Sequence, residues 1–125
     1  MYILDTNALI GTLFNPDFLS VTARKVIETD NDLYVSIASL WEISIKQSIG
    51  KLDIDASPID ISSTCEEMGI HMLPISPQHL SLIQKLPDIH RDPFDRLIIA
   101  QATHEGAVII TKDSIMPKYE VKTIW

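Results

Sequence analysis

The sequence is poor in residues that several common kinds of site require. Cys65 is the only cysteine among 125 residues, so an internal disulfide is excluded and a reducing compartment is favoured. We expect Cys65 to be a helix residue rather than a nucleophile. The four glycines form no phosphate-binding loop. The four histidines lack the H-x-x-x-H spacing of a zinc helix, and we expect each to be a surface or loop residue.

Long apolar runs are also missing. None approaches the roughly 20 residues that a membrane span needs, so no membrane association is expected. The first residues contain neither a basic segment nor a small-residue cleavage site, which predicts that there is no signal peptide. We therefore expect a cytoplasmic protein that forms a single domain over residues 1–125.

Basic residues are outnumbered, with 10 Lys and Arg against 17 Asp and Glu and a formal net charge of −7. Broad, non-specific binding to nucleic acid is not expected, because counterion release requires clustered Lys and Arg. The charge does not exclude an enzyme that acts on nucleic acid, since a bound metal ion would offset several carboxylates locally.

Short apolar runs alternate with helical patterns along the whole chain. Strands are predicted at residues 2–4, 33–37, 71–75, 107–111 and 121–124, and helices at 6–14, 18–30, 38–49, 58–69, 77–85 and 92–106. Thr6 is expected to be the N-cap of the first helix. Strands separated by helices predict an α/β fold with a mostly parallel sheet that is covered on both faces. Ligands bind such sheets at the carboxyl ends of the strands, near a topological switch point.

Acidic residues lie beside four of these runs: Asp5, Glu42, Asp95 and Asp113. Carboxylates are rarely buried without a partner, and carboxylates brought together without cations repel each other. A site of oxygen ligands suits Mg²⁺ or Mn²⁺. Because Asp5 and Asp113 directly follow predicted strands, the pattern predicts a metal-dependent phosphodiester hydrolase.

Each acid also has a structural alternative. Asp5 could form an Asx turn, although Thr6 already supplies a cap. Asp113 could cap the short turn at residues 114–116. Glu42 could pair with Lys46 at i,i+4, a contact worth roughly 0.2–0.5 kcal/mol. We favour the site for Glu42, because the helical period groups it with four apolar residues: Ala38, Trp41, Ile45 and Ile49.

Asp95 competes with Asp92 for the start of one helix. Asp92 at N-cap, Pro93 at N1 and Asp95 at N3 form a strong helix-start signature. One cap is enough, so we assign Asp92 to structure and Asp95 to catalysis. An inward stripe that continues from Asp95 supports this division: Ile98, Ile99 and Ala102.

Polar neighbours of the acids are further candidates. Asn7 could orient water or phosphate, or simply lie exposed on the first turn, and Thr111 could direct its hydroxyl to the same place. The flanking cations are candidate contacts for phosphates, and each could equally be a solvated charge: Lys46, Lys51, Arg91, Arg96 and Lys112.

Four sequence blocks, in register over essentially the whole chain, resemble the PIN-domain family. They are Leu4-Asp5-Thr6-Asn7; Ser39-Leu40-Trp41-Glu42-Ile43 with Lys46 and Gly50-Lys51-Leu52; His90 to Ala102, which includes Asp92-Pro93-Phe94-Asp95-Arg96; and Ile110-Thr111-Lys112-Asp113. The closest resemblance is to the VapC-type ribonuclease toxins of prokaryotic toxin–antitoxin pairs. This resemblance implies a five-stranded parallel sheet, a Mg²⁺ or Mn²⁺ site, RNA cleavage, inhibition by a small cognate antitoxin and frequent dimers.

The expected chemistry is hydrolysis of an RNA phosphodiester with one or two metal ions. Asp5, Asp95 and Asp113 are expected to bind metal, and Glu42 to act as a ligand or through water. Two alternatives stay open. One is a DNA or flap-type nuclease with the same chemistry, and the other is a non-catalytic PIN-like module that pairs with a protein.

Overall fold

A five-stranded parallel sheet lies at the centre of the protein, whose computed structural model describes all 125 residues. The strands are β1 (Tyr2–Leu4), β2 (Leu33–Ser36), β3 (Ile70–Leu73), β4 (Val108–Ile110) and β5 (Thr123–Ile124), and their order in the sheet is β3-β2-β1-β4-β5. Every neighbouring pair is parallel. The predicted α/β fold is therefore confirmed.

Six α-helices connect the strands. They are α1 (Thr6–Phe14), α2 (Val21–Thr29), α3 (Ile37–Ser48), α4 (Pro58–Glu67), α5 (Pro77–Ile83) and α6 (Pro93–Glu105), with short 3₁₀ helices at Pro16–Phe18 and Met116–Lys118. None combines the length and the apolar character that crossing a bilayer requires. Cys65 is buried in α4, as expected for a helix residue.

The central strand shows why both faces of the sheet are covered. Successive side chains of a strand point to opposite faces. Leu4 belongs to the core formed with α1, α3 and α4, whereas Ile3 packs in a second core with Ile98 and Ile99 of α6. Leu4 stands opposite Val35 of β2 and Ile110 of β4, so the strands that flank β1 are fixed in register with it.

Side-chain caps set the start of every α-helix. Each N-cap is an aspartate or a serine whose side chain accepts a backbone N–H: Asp5, Ser20, Ser36, Ser57, Ser76 and Asp92. The prediction that Thr6 caps α1 was wrong. Asp5 is the cap, and Thr6 is the first helical residue, which frees its hydroxyl for a contact with α3.

Other predicted boundaries moved for similar local reasons. Strand β3 ends at Leu73 rather than at residue 75, because Pro74 has no N–H to continue the ladder. Strand β2 ends at Ser36, whose hydroxyl accepts the N–H of Ala38 and so begins α3. The helix predicted from residue 18 begins at Val21, after the 3₁₀ turn and the Ser20 cap.

Candidate metal centre

The candidate site lies at the carboxyl ends of β1 and β4. The chain leaves β1 towards β2 on one side, whereas β4 pairs with β1 on the other, so this edge is a topological switch point. Asp5 follows β1, Asp113 lies three residues past the end of β4, and the N–H of Asp5 donates to the carbonyl of Ile110 at 3.1 Å. The expectation that Asp5 and Asp113 meet at one sheet edge is confirmed.

Asp5 uses its two carboxylate oxygens differently. Oδ1 accepts the N–H of Ala8 at 2.7 Å and caps α1, while Oδ2 accepts the hydroxyl of Thr111. Burial raises the pKa of Asp5 to about 6, against the lowering effect of these two hydrogen bonds, and the negative charges of Asp113 and Glu42 add to the rise. Capping of α1 therefore uses only Oδ1 and leaves Oδ2, which Thr111 orients, for a role at the site.

Glu42 is fixed from two sides. Its Oε1 accepts the Thr6 hydroxyl at 2.7 Å, and its Oε2 lies 2.7 Å from Nζ of Lys46. The i,i+4 pair is thus present, but Glu42 itself is buried beside Asp5, whose pKa its charge helps to raise. The ion pair with Lys46 therefore does not exclude Glu42 from the site.

The prediction that Glu42 lies within a buried apolar stripe of α3 was wrong. Three residues of that stripe are on the surface, since Trp41 and Ile49 are each 58% exposed and Ile45 is also exposed. Glu42 instead lies on the face of α3 that contains the buried residues Ala38, Ser39 and Ile43.

Asp92 caps α6, as expected, and the side chain of Asp95 lies apart from the cap. Oδ1 of Asp92 accepts the N–H groups of Phe94 at 2.8 Å and Asp95 at 3.1 Å, which makes Asp92 the cap of α6. The Asp95 side chain takes no part in the cap. Burial and the neighbouring charge of Asp92 raise the pKa of Asp95 to about 7.

Asp113 divides its oxygens as Asp5 does. Oδ1 accepts the N–H groups of Ile115 at 2.6 Å and Met116 at 3.1 Å, so the turn-capping alternative is present here too. Oδ2 lies 2.9 Å from Nε2 of His90. Burial alone would raise the pKa of Asp113, but the hydrogen bonds from His90, Ile115 and Met116 outweigh it and hold the pKa below its ordinary value.

One histidine, His79, departs from the expectation of a surface or loop position, and another, His90, is a loop residue as expected but is buried. His79 is buried in α5, where Nδ1 accepts the N–H of Ser76 and Nε2 lies 3.0 Å from Oε1 of Glu105. His90 does lie in a loop, but it is buried, and its Nε2 lies between Asp95 at 3.1 Å and Asp113 at 2.9 Å. No sequence spacing marks His90, because its contact with Asp113 joins residues that are 23 positions apart.

A family comparison agrees with this geometry. The family model of the PIN domain matches residues 2–122. The chain belongs to the PIN domain family. PIN domains are generally nucleases that depend on divalent metal ions. Among curated proteins, none matches the chain significantly.

Some of the cations around the site of this PIN domain contact other side chains, and others are exposed to solvent. Lys46 is held by Glu42, and Lys112 lies 5.3 Å above the ring of Phe18 at the side of an open cleft of about 450 Å³ that also contains Asp5, Asn7 and Asp113. Arg91 and Lys51 are exposed.

Arg96 is used internally. Its guanidinium donates to the carbonyls of Pro87 at 3.0 Å and Ile83 at 3.3 Å and to the hydroxyl of Tyr119 at 3.2 Å. These contacts fasten the loop before α6, so Arg96 has a structural use beside its predicted contact with phosphate.

The donor set of the PIN domain fits a hard divalent ion. Burial is the main cause of the raised pKa values of Asp5 and Asp95, the charges of neighbouring carboxylates add to it, and a bound cation would offset both effects. Ligand atoms of Asp95, Asp113 and His90 lie within 4.8 Å of one another, whereas Asp5 is outside this set. Oxygens on one Mg²⁺ are at most about 4.2 Å apart, twice the bond length of about 2.1 Å. Direct binding by all three aspartates therefore requires side-chain movement, a second ion or a bridging water.

Proposed function

We propose that this PIN domain is a Mg²⁺- or Mn²⁺-dependent endoribonuclease and the toxin of a toxin–antitoxin pair. The observation that carries the nuclease assignment is the convergence of Asp5, Asp95 and Asp113 at the switch point of the sheet, with two of their pKa values raised by burial. The preference for RNA and the toxin role rest on the resemblance of four sequence blocks to VapC-type toxins.

The side chains of the site supply binding and orientation. Asp5, Asp95 and Asp113 would hold one or two divalent ions, which when bound lower the pKa of water and stabilise charge on a phosphate. Thr111 orients Asp5, and Thr6 orients Glu42, so these carboxylates are already in place in the folded protein. Asn7 and Lys112 line the same cleft and are positioned to contact substrate.

Matched oligonucleotides test this proposal. A single-stranded RNA, the DNA of the same sequence and a flap DNA are incubated with the protein and Mn²⁺, with and without chelator. We expect cleavage of RNA alone, internal to the strand, and only with metal. Cleavage of DNA or of the flap would favour the DNA nuclease, and no cleavage of any substrate would favour a non-catalytic module.

An inhibitory protein partner is part of the proposal. Next to Glu42, an exposed apolar strip runs along α3 through Trp41, Ile45 and Ile49, and Trp41 packs edge-on against Phe94 of α6 at 5.2 Å. Exposed apolar patches of this kind commonly contact other proteins. We propose that a small antitoxin covers the strip and directs an Arg or Lys to the carboxylates. Because the proposed substrate is RNA and a single cysteine fits a reducing compartment, we propose that this pair acts in the cytoplasm.

The partner can be sought in the open reading frame immediately upstream. Co-expression should yield a stable complex whose affinity falls when the basic residues of the partner are changed to Gln, since truncating one side of a buried charge pair costs about 2–5 kcal/mol. Light scattering of the separate chain would show whether it forms a homodimer, and repeating it with Trp41→Ser would show whether the strip is needed.

A further inference from the structure

Both ring nitrogens of His90 take part in hydrogen bonds. Its Nδ1 lies 3.1 Å from the backbone nitrogen of Asp92, and its Nε2 lies 2.9 Å from Oδ2 of Asp113 and 3.1 Å from Oδ2 of Asp95. The ring therefore joins two candidate metal ligands that come from different elements, α6 and the segment after β4.

The contact with Asp92 decides which nitrogen holds the proton. A backbone N–H can only donate, so Nδ1 must present its lone pair, and the proton of the neutral ring is then on Nε2. A protonated Nε2 has no lone pair for a metal ion. Its N–H instead lies within hydrogen-bond distance of both carboxylates, which can accept it.

The loop that carries His90 is anchored independently of the carboxylates. The N–H of His90 donates to the hydroxyl of Tyr119 at 2.7 Å, and this hydroxyl donates to the carbonyl of Pro87 at 2.9 Å. Arg96 donates to the same carbonyl at 3.0 Å. Because Tyr119 is buried in the core on the α6 face, the position of the imidazole is set by the fold.

We propose that His90 is a positioning residue that donates from Nε2 to Asp113 and Asp95, sets the orientation of both carboxylates for metal, and stays outside the ligand set. This inference rests on the proposed metal-dependent function. Partners that orient metal ligands are commonly worth 10- to 100-fold in metal affinity. The cluster of His90, Asp95 and Asp113 is thus two ligands and their donor rather than a three-ligand site.

Two variants separate the donor role from ligation. In His90→Gln the side-chain amide can still donate near the position of Nε2, whereas His90→Leu cannot donate at all. We expect the dissociation constant for Mn²⁺, measured from the free-ion EPR signal, to rise 10- to 100-fold in His90→Leu and substantially less in His90→Gln. His71→Leu, at an exposed histidine of β3, is the matched control and should bind Mn²⁺ as the wild type does.

Spectroscopy of the wild-type protein tests the tautomer without any substitution. With ¹⁵N-histidine, NMR of the metal-free protein should show the His90 proton on Nε2, and pulsed EPR of the Mn²⁺ protein should show no directly bound nitrogen. A bound nitrogen, a proton on Nδ1, or equal losses in the Gln and Leu variants would overturn the proposal.

The outcomes also distinguish this inference from the proposed function. Mn²⁺ binding with the expected variant pattern but without RNA cleavage would refute the nuclease and leave the role of His90 intact. A wild-type protein that binds no Mn²⁺ would refute both.

Discussion

Neutralising Asp95 should stabilise the metal-free protein at high pH. Burial, followed by the charge of Asp92, raises the pKa of Asp95 from 3.8 to about 7. Between these values the folded protein keeps a proton that the unfolded chain has lost, so the free energy of unfolding falls as pH rises through this range and stays lower above it. Asn is neutral at every pH, and Asp95→Asn removes this loss.

The size of the effect follows from the same values. The interval from 3.8 to about 7, at about 1.36 kcal/mol per pH unit, corresponds to about 4 kcal/mol. The attraction between His90 and the ionised carboxylate lowers this pKa and is already included in the value of about 7, so it is not subtracted again. We therefore expect the mutant to be more stable than the wild type by up to about 4 kcal/mol at pH 8 and no more stable at pH 4.

Urea or thermal unfolding in chelator, repeated from pH 4 to pH 8.5, measures this difference. Asp53→Asn is the control, because it makes the same change at an exposed carboxylate. The advantage of Asp95→Asn should grow with pH and level off above about pH 7. A constant difference, or a mutant that is less stable at pH 8, would mean that Asp95 contributes mainly to the start of α6 and that its charge is not crowded in the fold.

Three further predictions concern the site and its support. Asp5→Asn should abolish cleavage while keeping the fold, whereas Asp92→Asn should keep most activity because Asn caps helices about as well as Asp. Cleavage rates and circular dichroism of both variants test this prediction. The reverse pattern would contradict the assigned roles. Mn²⁺ at a hundredfold excess over its dissociation constant should stabilise the wild type by about 2.7 kcal/mol in thermal melts, and Asp95→Asn less. Tyr119→Phe should lower stability by about 1–3 kcal/mol in urea, because the buried N–H of His90 loses its acceptor; an unchanged midpoint would show that another group replaces the hydroxyl.

The sequence predicted features that depend on local patterns. Strand β1 and the positions of Asp5 and Asp113 follow from apolar runs and from the rule that parallel strands end at one edge. The cap of α6 followed from Asp92 and Pro93, whose effects are confined to one helical turn.

Features that depend on distant contacts were missed. His90 meets Asp113 and Tyr119 only because the loop before α6 folds against the segment after β4, and no periodicity encodes this. The face of Glu42 was misjudged because the apolar residues Trp41 and Ile49 lie on the surface, where hydrophobic periodicity no longer reports burial.

Metal-dependent hydrolysis of RNA at these carboxylates is tested by analysis of the cleavage products. A single-stranded RNA is incubated with wild-type protein or Asp5→Asn, in Mn²⁺ or in excess chelator, and the ends of the fragments are identified. We expect cleavage only by the wild type with metal, leaving 5′-phosphate and 3′-hydroxyl ends because water rather than the ribose hydroxyl attacks. Cleavage that survives chelation, or that leaves cyclic phosphate ends, would contradict it.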